Sequence, residues 1–175
     1  MKTALSAYKP VGENRYRETS GLYYEDFEPG DVFEHRPGRT ITDVDNIWVT
    51  LLTLNVQQVH FDAAYAAKTE WKKMLVDSTL TLALLTGMSV RTVSAKVVAN
   101  LGWDKVKATG PVFAGDTLYA ESTVLNKRES HSRPTQGIVT VSTRGLNQDG
   151  VEVMTFERTM LIYKRGHSPE DAANY

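Results

Sequence analysis

The 175-residue chain has no cysteine, which excludes disulfides, a thiol nucleophile and thiolate metal ligands. No apolar run reaches the ~18 residues of a membrane-spanning helix, and the polar N-terminus lacks the apolar core of a signal peptide. Neither sign of charge dominates: a net charge of -1 leaves no stripe for nucleic acid or an anionic membrane surface. There is no glycine-rich phosphate loop and no Gly-x-Ser-x-Gly elbow. No second histidine stands at helical distance from His60, so no metal site is expected. A chain without cysteine is compatible with the cytoplasm, the location expected here.

What is present is ordinary for a globular domain, with 41% hydrophobic and 23% charged residues. The length suits one domain that buries roughly two thirds of its unfolded surface. Residues 1–20 are polar and without period, and read as an arm; residues 21–165 read as the domain, and 166–175 as a flexible tail. The turn Glu28-Pro29-Gly30-Asp31 leads into a strand from Val32 to Ile41, interrupted at Pro37-Gly38. Thr42-Asp43-Val44-Asp45 forms a capping box before a helix carrying Ile47, Trp48, Leu51, Leu52 and Leu54. Asp62 is placed to cap a short alanine-rich helix.

A longer apolar helix follows from Ser78 to Val90. Its apolar positions cover most of the circumference, which predicts a buried helix. Beyond Thr92 the segments 96–107, 117–127, 137–146 and 151–164 are rich in Val, Thr, Tyr and Phe with partial alternation. Asn147-Gln148-Asp149-Gly150 is a hairpin turn signal. One long helix with an antiparallel sheet wrapped around it is an α+β architecture, the hotdog arrangement, and its open lateral face makes a homodimer the expectation.

Chemistry concentrates between residues 55 and 79. Asn55, Gln57 and His60 share one loop, and His60 is the histidine whose ~6.5 intrinsic pKa suits proton transfer at neutral pH. Asp77, Ser78 and Thr79 begin the long helix, where unpaired backbone N–H groups can hold an oxyanion. Taken singly, Asn55 and Gln57 also suit turns, and Asp77 suits a helix cap. Lys127, Arg128 and Arg133 supply cations in the later β segments, equally suited to a solvated loop.

From about Tyr24 to Lys164 the chain resembles the MaoC-like dehydratases, the hotdog family of hydratase-2-type enoyl-CoA hydratases. That family carries Asp-x-Asn-Pro-x-His on its active-site loop; this chain reads Asn55-Val56-Gln57-Gln58-Val59-His60, followed by Phe61-Asp62-Ala63-Ala64. The histidine and its spacing match, whereas Asn55 stands in place of the aspartate, Gln57 of the asparagine and Gln58 of the proline. The changes at 55 and 57 are similar to a subgroup associated with mesaconyl- or itaconyl-CoA. Further matching segments are Leu75-Val76-Asp77-Ser78, Val98 to Trp103, Pro111 to Leu118 and Ser130 to Pro134.

The resemblance implies a hydratase or dehydratase of an α,β-unsaturated acyl-CoA, here a short branched dicarboxylic one. His60 would be the proton-transfer group, with Asn55 and Gln57 beside it and the Asp77–Thr79 helix start as oxyanion site. Arg133, with Lys127 and Arg128, would meet a substrate carboxylate or the CoA phosphates. No cofactor is implied, CoA being part of the substrate. The fold also hosts acyl-CoA thioesterases that use a carboxylate on or near the central helix, which Asp77 could supply. Loss of the aspartate at 55 leaves a third reading, a catalytically inactive acyl-CoA-binding protein.

Overall fold

A computed structural model describes residues 7–173. Strands β1 (Tyr8–Gly12) and β2 (Arg15–Glu18) form an antiparallel hairpin in the segment read as an arm, whose first six residues lie outside the described ones. The main sheet has five antiparallel strands, β3 (Val32–Thr40), β4 (Val97–Ala108), β5 (Thr117–Glu129), β6 (Gln136–Leu146) and β7 (Glu152–Tyr163), in the order β3-β5-β6-β7-β4. The sheet and its long helix are the α+β architecture expected. β3 slips register between His35 and Arg39, where proline withdraws its amide from the ladder. The β6–β7 hairpin closes on Asn147 as its sequence predicts, with Asn147 N–H donating to the Val151 carbonyl.

Helix α3 (Ser78–Met88) lies across one face of this sheet. Leu80 and Leu85 are buried with Leu118, Ala120, Met154 and Phe156. Leu85 sits directly over Gly145, where a Cβ would come within 2.4 Å of its Cδ1, so only glycine admits the helix this closely. Truncating Leu85 to alanine should cost about 2–5 kcal/mol. At the other end of the same face, Leu22, Tyr24, Phe27 and Val93 cover Val124, Val139, Val141, Met160 and Ile162. Between the two apolar clusters runs a buried polar belt of His35, Ser89, Ser122, Thr143 and Arg158.

Two sequence expectations are corrected here. Only Leu80, Thr81 and Leu85 of α3 are buried, whereas Ala83 and Gly87 face outward: the sheet covers one side of the helix, and among the described residues nothing buries the other. The segment read as a loose tail folds back instead. Helix α4 (Pro169–Ala172) has a Ser168–Asp171 capping box, and Tyr23 Oη donates to Asp171 Oδ1 at 2.9 Å while Lys96 pairs with Glu170. Its own caps and long-range ion pairs, invisible to a reading by hydropathy, order this segment.

Helix α1 (Asp43–Thr53) begins at the expected capping box: Thr42 Oγ1 accepts from Asp45 N–H and Asp45 Oδ2 accepts from Thr42 N–H at 2.8 Å. Its orientation is inverted relative to an ordinary amphipathic helix. The buried residues are polar, Asn46 and Thr50, and the apolar side chains of Val44, Trp48, Leu51 and Leu52 are exposed. β4 is an edge strand, open along its outer side, with Leu101, Trp103 and Val106 exposed. Open apolar edges and ridges of this kind mark surfaces that meet another chain or domain.

Candidate active site

The inverted α1 is what assembles the site. Asn46 is buried at its centre and ties three segments together: its Nδ2 donates to the His60 carbonyl at 2.7 Å and the Leu75 carbonyl at 3.0 Å, and its Oδ1 accepts from Asp77 N–H at 2.9 Å. The sequence reading missed Asn46. Its signal was the polar i, i+4 stripe Asn46–Thr50, opposite the apolar residues that drew attention. Leu54 ends α1 in the left-handed region (φ 56°), turning the chain so that Asn55 faces the start of α3. A 3-10 turn over Gln58–His60 then leads to Asp62, which caps helix α2 (Ala63–Ala66) by accepting from Tyr65 N–H. The strand-like Leu75-Val76 is fixed on both sides, by Leu75 N–H to the Val59 carbonyl and Val76 N–H to the Val112 carbonyl.

His60 is half-buried, and its Nδ1 lies 2.8 Å from the Leu75 carbonyl. A carbonyl oxygen only accepts, so this contact requires the proton on Nδ1 and leaves the Nε2 lone pair free when the ring is neutral. Asp77 is 3% exposed, and both of its oxygens are engaged. Oδ1 accepts from the Thr79 N–H at 2.6 Å and Thr79 Oγ1 at 2.7 Å; Oδ2 accepts from Asn55 Nδ2 at 2.7 Å. Burial alone would raise the Asp77 pKa, but the hydrogen bonds from Thr79 and Asn55, with His60 nearby, hold it below the ordinary carboxylate value. Asn55 is equally specified: its Oδ1 accepts from Gln57 N–H at 3.1 Å, while the second N–H of its amide remains for another partner. Ser78 occupies the first position of α3 beyond the cap, where helix geometry leaves the backbone N–H unpaired.

The structure thus brings together His60, Asn55, Asp77, Ser78 and Thr79, and Gln57 joins them through its backbone. Beside them, Ile47, Thr50, Leu51, Leu54, Val56 and Phe61 line an open apolar groove of about 270 Å³ that ends on Asn55. The predicted cations are elsewhere. The site lies at the Thr117 end of β5, where Leu75 bridges to Phe113; Lys127, Arg128 and Arg133 lie at or beyond its Glu129 end, roughly 30–40 Å away by strand rise. There Lys127 pairs with Glu28 at 3.1 Å, and Arg133 is exposed in the β5–β6 connection. Within one chain these residues and His60 do not share a site.

The family model for mesaconyl-CoA hydratase matches residues 4–174. The chain belongs to the mesaconyl-CoA hydratase family. It is 32% identical over 149 residues to the mesaconyl-CoA hydratase of Cereibacter sphaeroides, an alignment that takes in 85% of this chain and 43% of that protein. It is 30% identical to the solved monoamine oxidase regulatory protein of Archaeoglobus fulgidus, covering 82% of this chain and 95% of that one with a TM-score of 0.73. A double-hotdog protein of Mycobacterium tuberculosis, 22% identical, matches in fold with a TM-score of 0.77, over 84% of this chain and 46% of that one. The hotdog fold expected from the sequence is therefore shown. The chain spans less than half the length of the curated relative named above. Among the described residues no helix is long and apolar enough to cross a membrane.

Proposed function

We propose that this protein hydrates, or in reverse dehydrates, an α,β-unsaturated acyl-CoA thioester. The observation that carries the reading is the His60 Nδ1 contact with the Leu75 carbonyl, which leaves Nε2 as an acceptor on a ring close to Asp77 at the start of α3. In the hydration direction His60 Nε2 takes a proton from water as the oxygen adds to the β-carbon. The electron pair of the double bond moves toward the thioester oxygen, and the Ser78 N–H stabilises the enolate that develops. The imidazolium then returns the proton to the α-carbon, so that one water is consumed and the base is regenerated. The unused N–H of Asn55 positions the attacking water. Asp77 acts through Asn55 and the helix cap, and its hydrogen bonds to Thr79 and Asn55 weigh against a nucleophile or a base for hydrolysis.

The assembly we propose is a homodimer, in the cytoplasm, paired along the free edges of β4. Antiparallel pairing about Gly102 and Trp103 would set the Ala108 end of one strand against the Val97 end of the other. The end of the sheet bearing the partner's Lys127, Arg128 and Arg133 would then lie at the same side as this chain's His60, within reach of CoA phosphates. A panel of unsaturated and saturated acyl-CoA thioesters tests the function. Loss of the conjugated-thioester absorbance without release of free thiol is expected; thiol release from saturated thioesters would instead make the protein a thioesterase.

A further inference from the structure

Of the two side chains that helix α1 buries, Thr50 turns back on its own helix, donating to the Ile47 carbonyl at 2.7 Å. Asn46, 2% exposed, is the one that reaches the loop of His60. Its amide has a single possible orientation. The His60 and Leu75 carbonyls only accept and the Asp77 N–H only donates, so Nδ2 faces the first two and Oδ1 the third. Both N–H groups are then engaged, and no other side chain of this size carries two donors and an acceptor on one planar group. Such a buried amide contributes little more net stability than a packed aliphatic side chain would, but its hydrogen bonds have direction. Residue 46 therefore fixes position.

What it fixes is a closed circuit of contacts. Leu75 is held by its neighbours, with its own N–H on the Val59 carbonyl at 3.0 Å and the Val76 N–H on the Val112 carbonyl at 2.8 Å. The turn carrying His60 has short-range bonds, His60 N–H to the Gln57 carbonyl and Asp62 N–H to the Gln58 carbonyl. These set the shape of the turn but not its angle to Leu75, and the Leu75–Val59 bond is a single point about which the turn could swing. Asn46 Nδ2 supplies a second point, on the carbonyl of His60 itself at 2.7 Å, and also donates to the Leu75 carbonyl at 3.0 Å. The imidazole completes the circuit, its Nδ1 lying 2.8 Å from that same Leu75 oxygen. One amide thus holds both partners of the Nδ1 contact, and in a neutral imidazole such a hydrogen bond decides which nitrogen keeps the proton.

On the strength of the hydratase reading above, we propose that Asn46 is a positioning residue for the reaction, fixing His60 as the Nδ1–H tautomer with Nε2 as the base. Through the Asp77 N–H it also fixes the start of α3 against the same loop, so base and oxyanion site are set relative to each other. Asn46 acts through His60 and Asp77, and its amide has no donor left for the substrate.

Nitrogen NMR of protein with 15N-labelled histidine reads the tautomer without turnover. At about pH 9, where imidazoles are neutral, the wild-type His60 signals, assigned by their loss in His60→Gln, should place the proton on Nδ1. Asn46→Asp has the same size and keeps an acceptor for the Asp77 N–H, but its carboxylate donates to neither carbonyl. In that variant the proton should be shared between both nitrogens, and kcat should fall by ~10- to 100-fold with KM little changed, the scale for a misplaced catalytic group. Asn46→Ser, which can still donate to one carbonyl, should lie between the two. A folded variant of either kind that keeps the wild-type tautomer would overturn the proposal, as would a loss of kcat/KM carried by KM alone. If neither variant folds, residue 46 is a requirement of the fold and the proposal falls. Wild-type protein that shows the tautomer, loses it in the variants and yet hydrates nothing would retain the role of Asn46 and refute the hydratase reading. An active wild type whose tautomer survives both substitutions would do the reverse.

Discussion

Asn55 Nδ2 donates to Asp77 Oδ2 at 2.7 Å, so the residue standing in place of the family's loop aspartate is locked to a carboxylate at the start of α3. The site has one acid at this position, supplied from the helix cap, and an amide is the side chain that can face it. An aspartate at 55 would place two carboxylates within hydrogen-bond distance of each other. The amide is therefore a requirement of Asp77 and no sign by itself of lost activity.

Asn55→Asp should accordingly reduce turnover at pH 8 by tenfold or more, with partial recovery toward acid pH as the pair takes up a shared proton. The sign is checked by stability. A proton held more tightly in the folded state makes stability fall as pH rises, so the melting temperature of the variant should drop from pH 5 to pH 8 relative to wild type. Asn55→Ala, which leaves Asp77 short of a donor, should cost about 1–3 kcal/mol of transition-state stabilisation. Faster hydration by Asn55→Asp at neutral pH would contradict this account.

His35 supplies a second pH dependence. Burial, followed by the Arg158 and Arg36 charges, pulls its pKa from 6.5 to about 4, so it is neutral in the fold. Between those values the unfolded chain binds the extra proton. Stability is therefore complete above about pH 6.5 and declines as pH falls toward 4, by about 3 kcal/mol in all. Denaturant unfolding of wild type against His35→Gln from pH 7 to pH 4 measures it. A wild-type curve no steeper than that of the variant would remove His35 from the belt's energetics.

The open β4 edge makes a third prediction. Two like charges at Leu101 and Trp103 would face their copies across the dimer axis, so Leu101→Glu with Trp103→Glu should shift the protein to monomer in sedimentation velocity. Loss of activity in the monomer would follow if the partner's cations hold CoA. A dimer unaffected by the double substitution would place the interface elsewhere, with the exposed ridge of α1 the next surface to test.

Local signals in the sequence carried much of this molecule. The Thr42–Asp45 box, the Asp62 cap, the Asn147 turn and the four later strands depend on neighbours in the chain, and each appears within a few residues of its predicted place. The loop around His60 was legible because its spacing is part of the chemistry. Asn46 and Arg158 were not, because each acts through partners 14 to 69 residues away. Arg133 was placed near the site on its charge and on the resemblance of the Ser130 to Pro134 segment, and the length of β5 separates the two within one chain. α1 shows the same limit: its apolar residues gave the helical spacing, yet the residues it buries are polar, among them the Asn46 that holds the His60 and Leu75 carbonyls.

The central claim is that His60 Nε2 moves the proton in an enoyl-CoA hydration. The most direct measurement is the single-wavelength absorbance of a conjugated dicarboxylic thioester mixed with wild-type protein and with His60→Gln. Wild type should consume the double bond, while folded His60→Gln should turn over ~100-fold or more slowly. Near-normal turnover by folded His60→Gln would contradict the account.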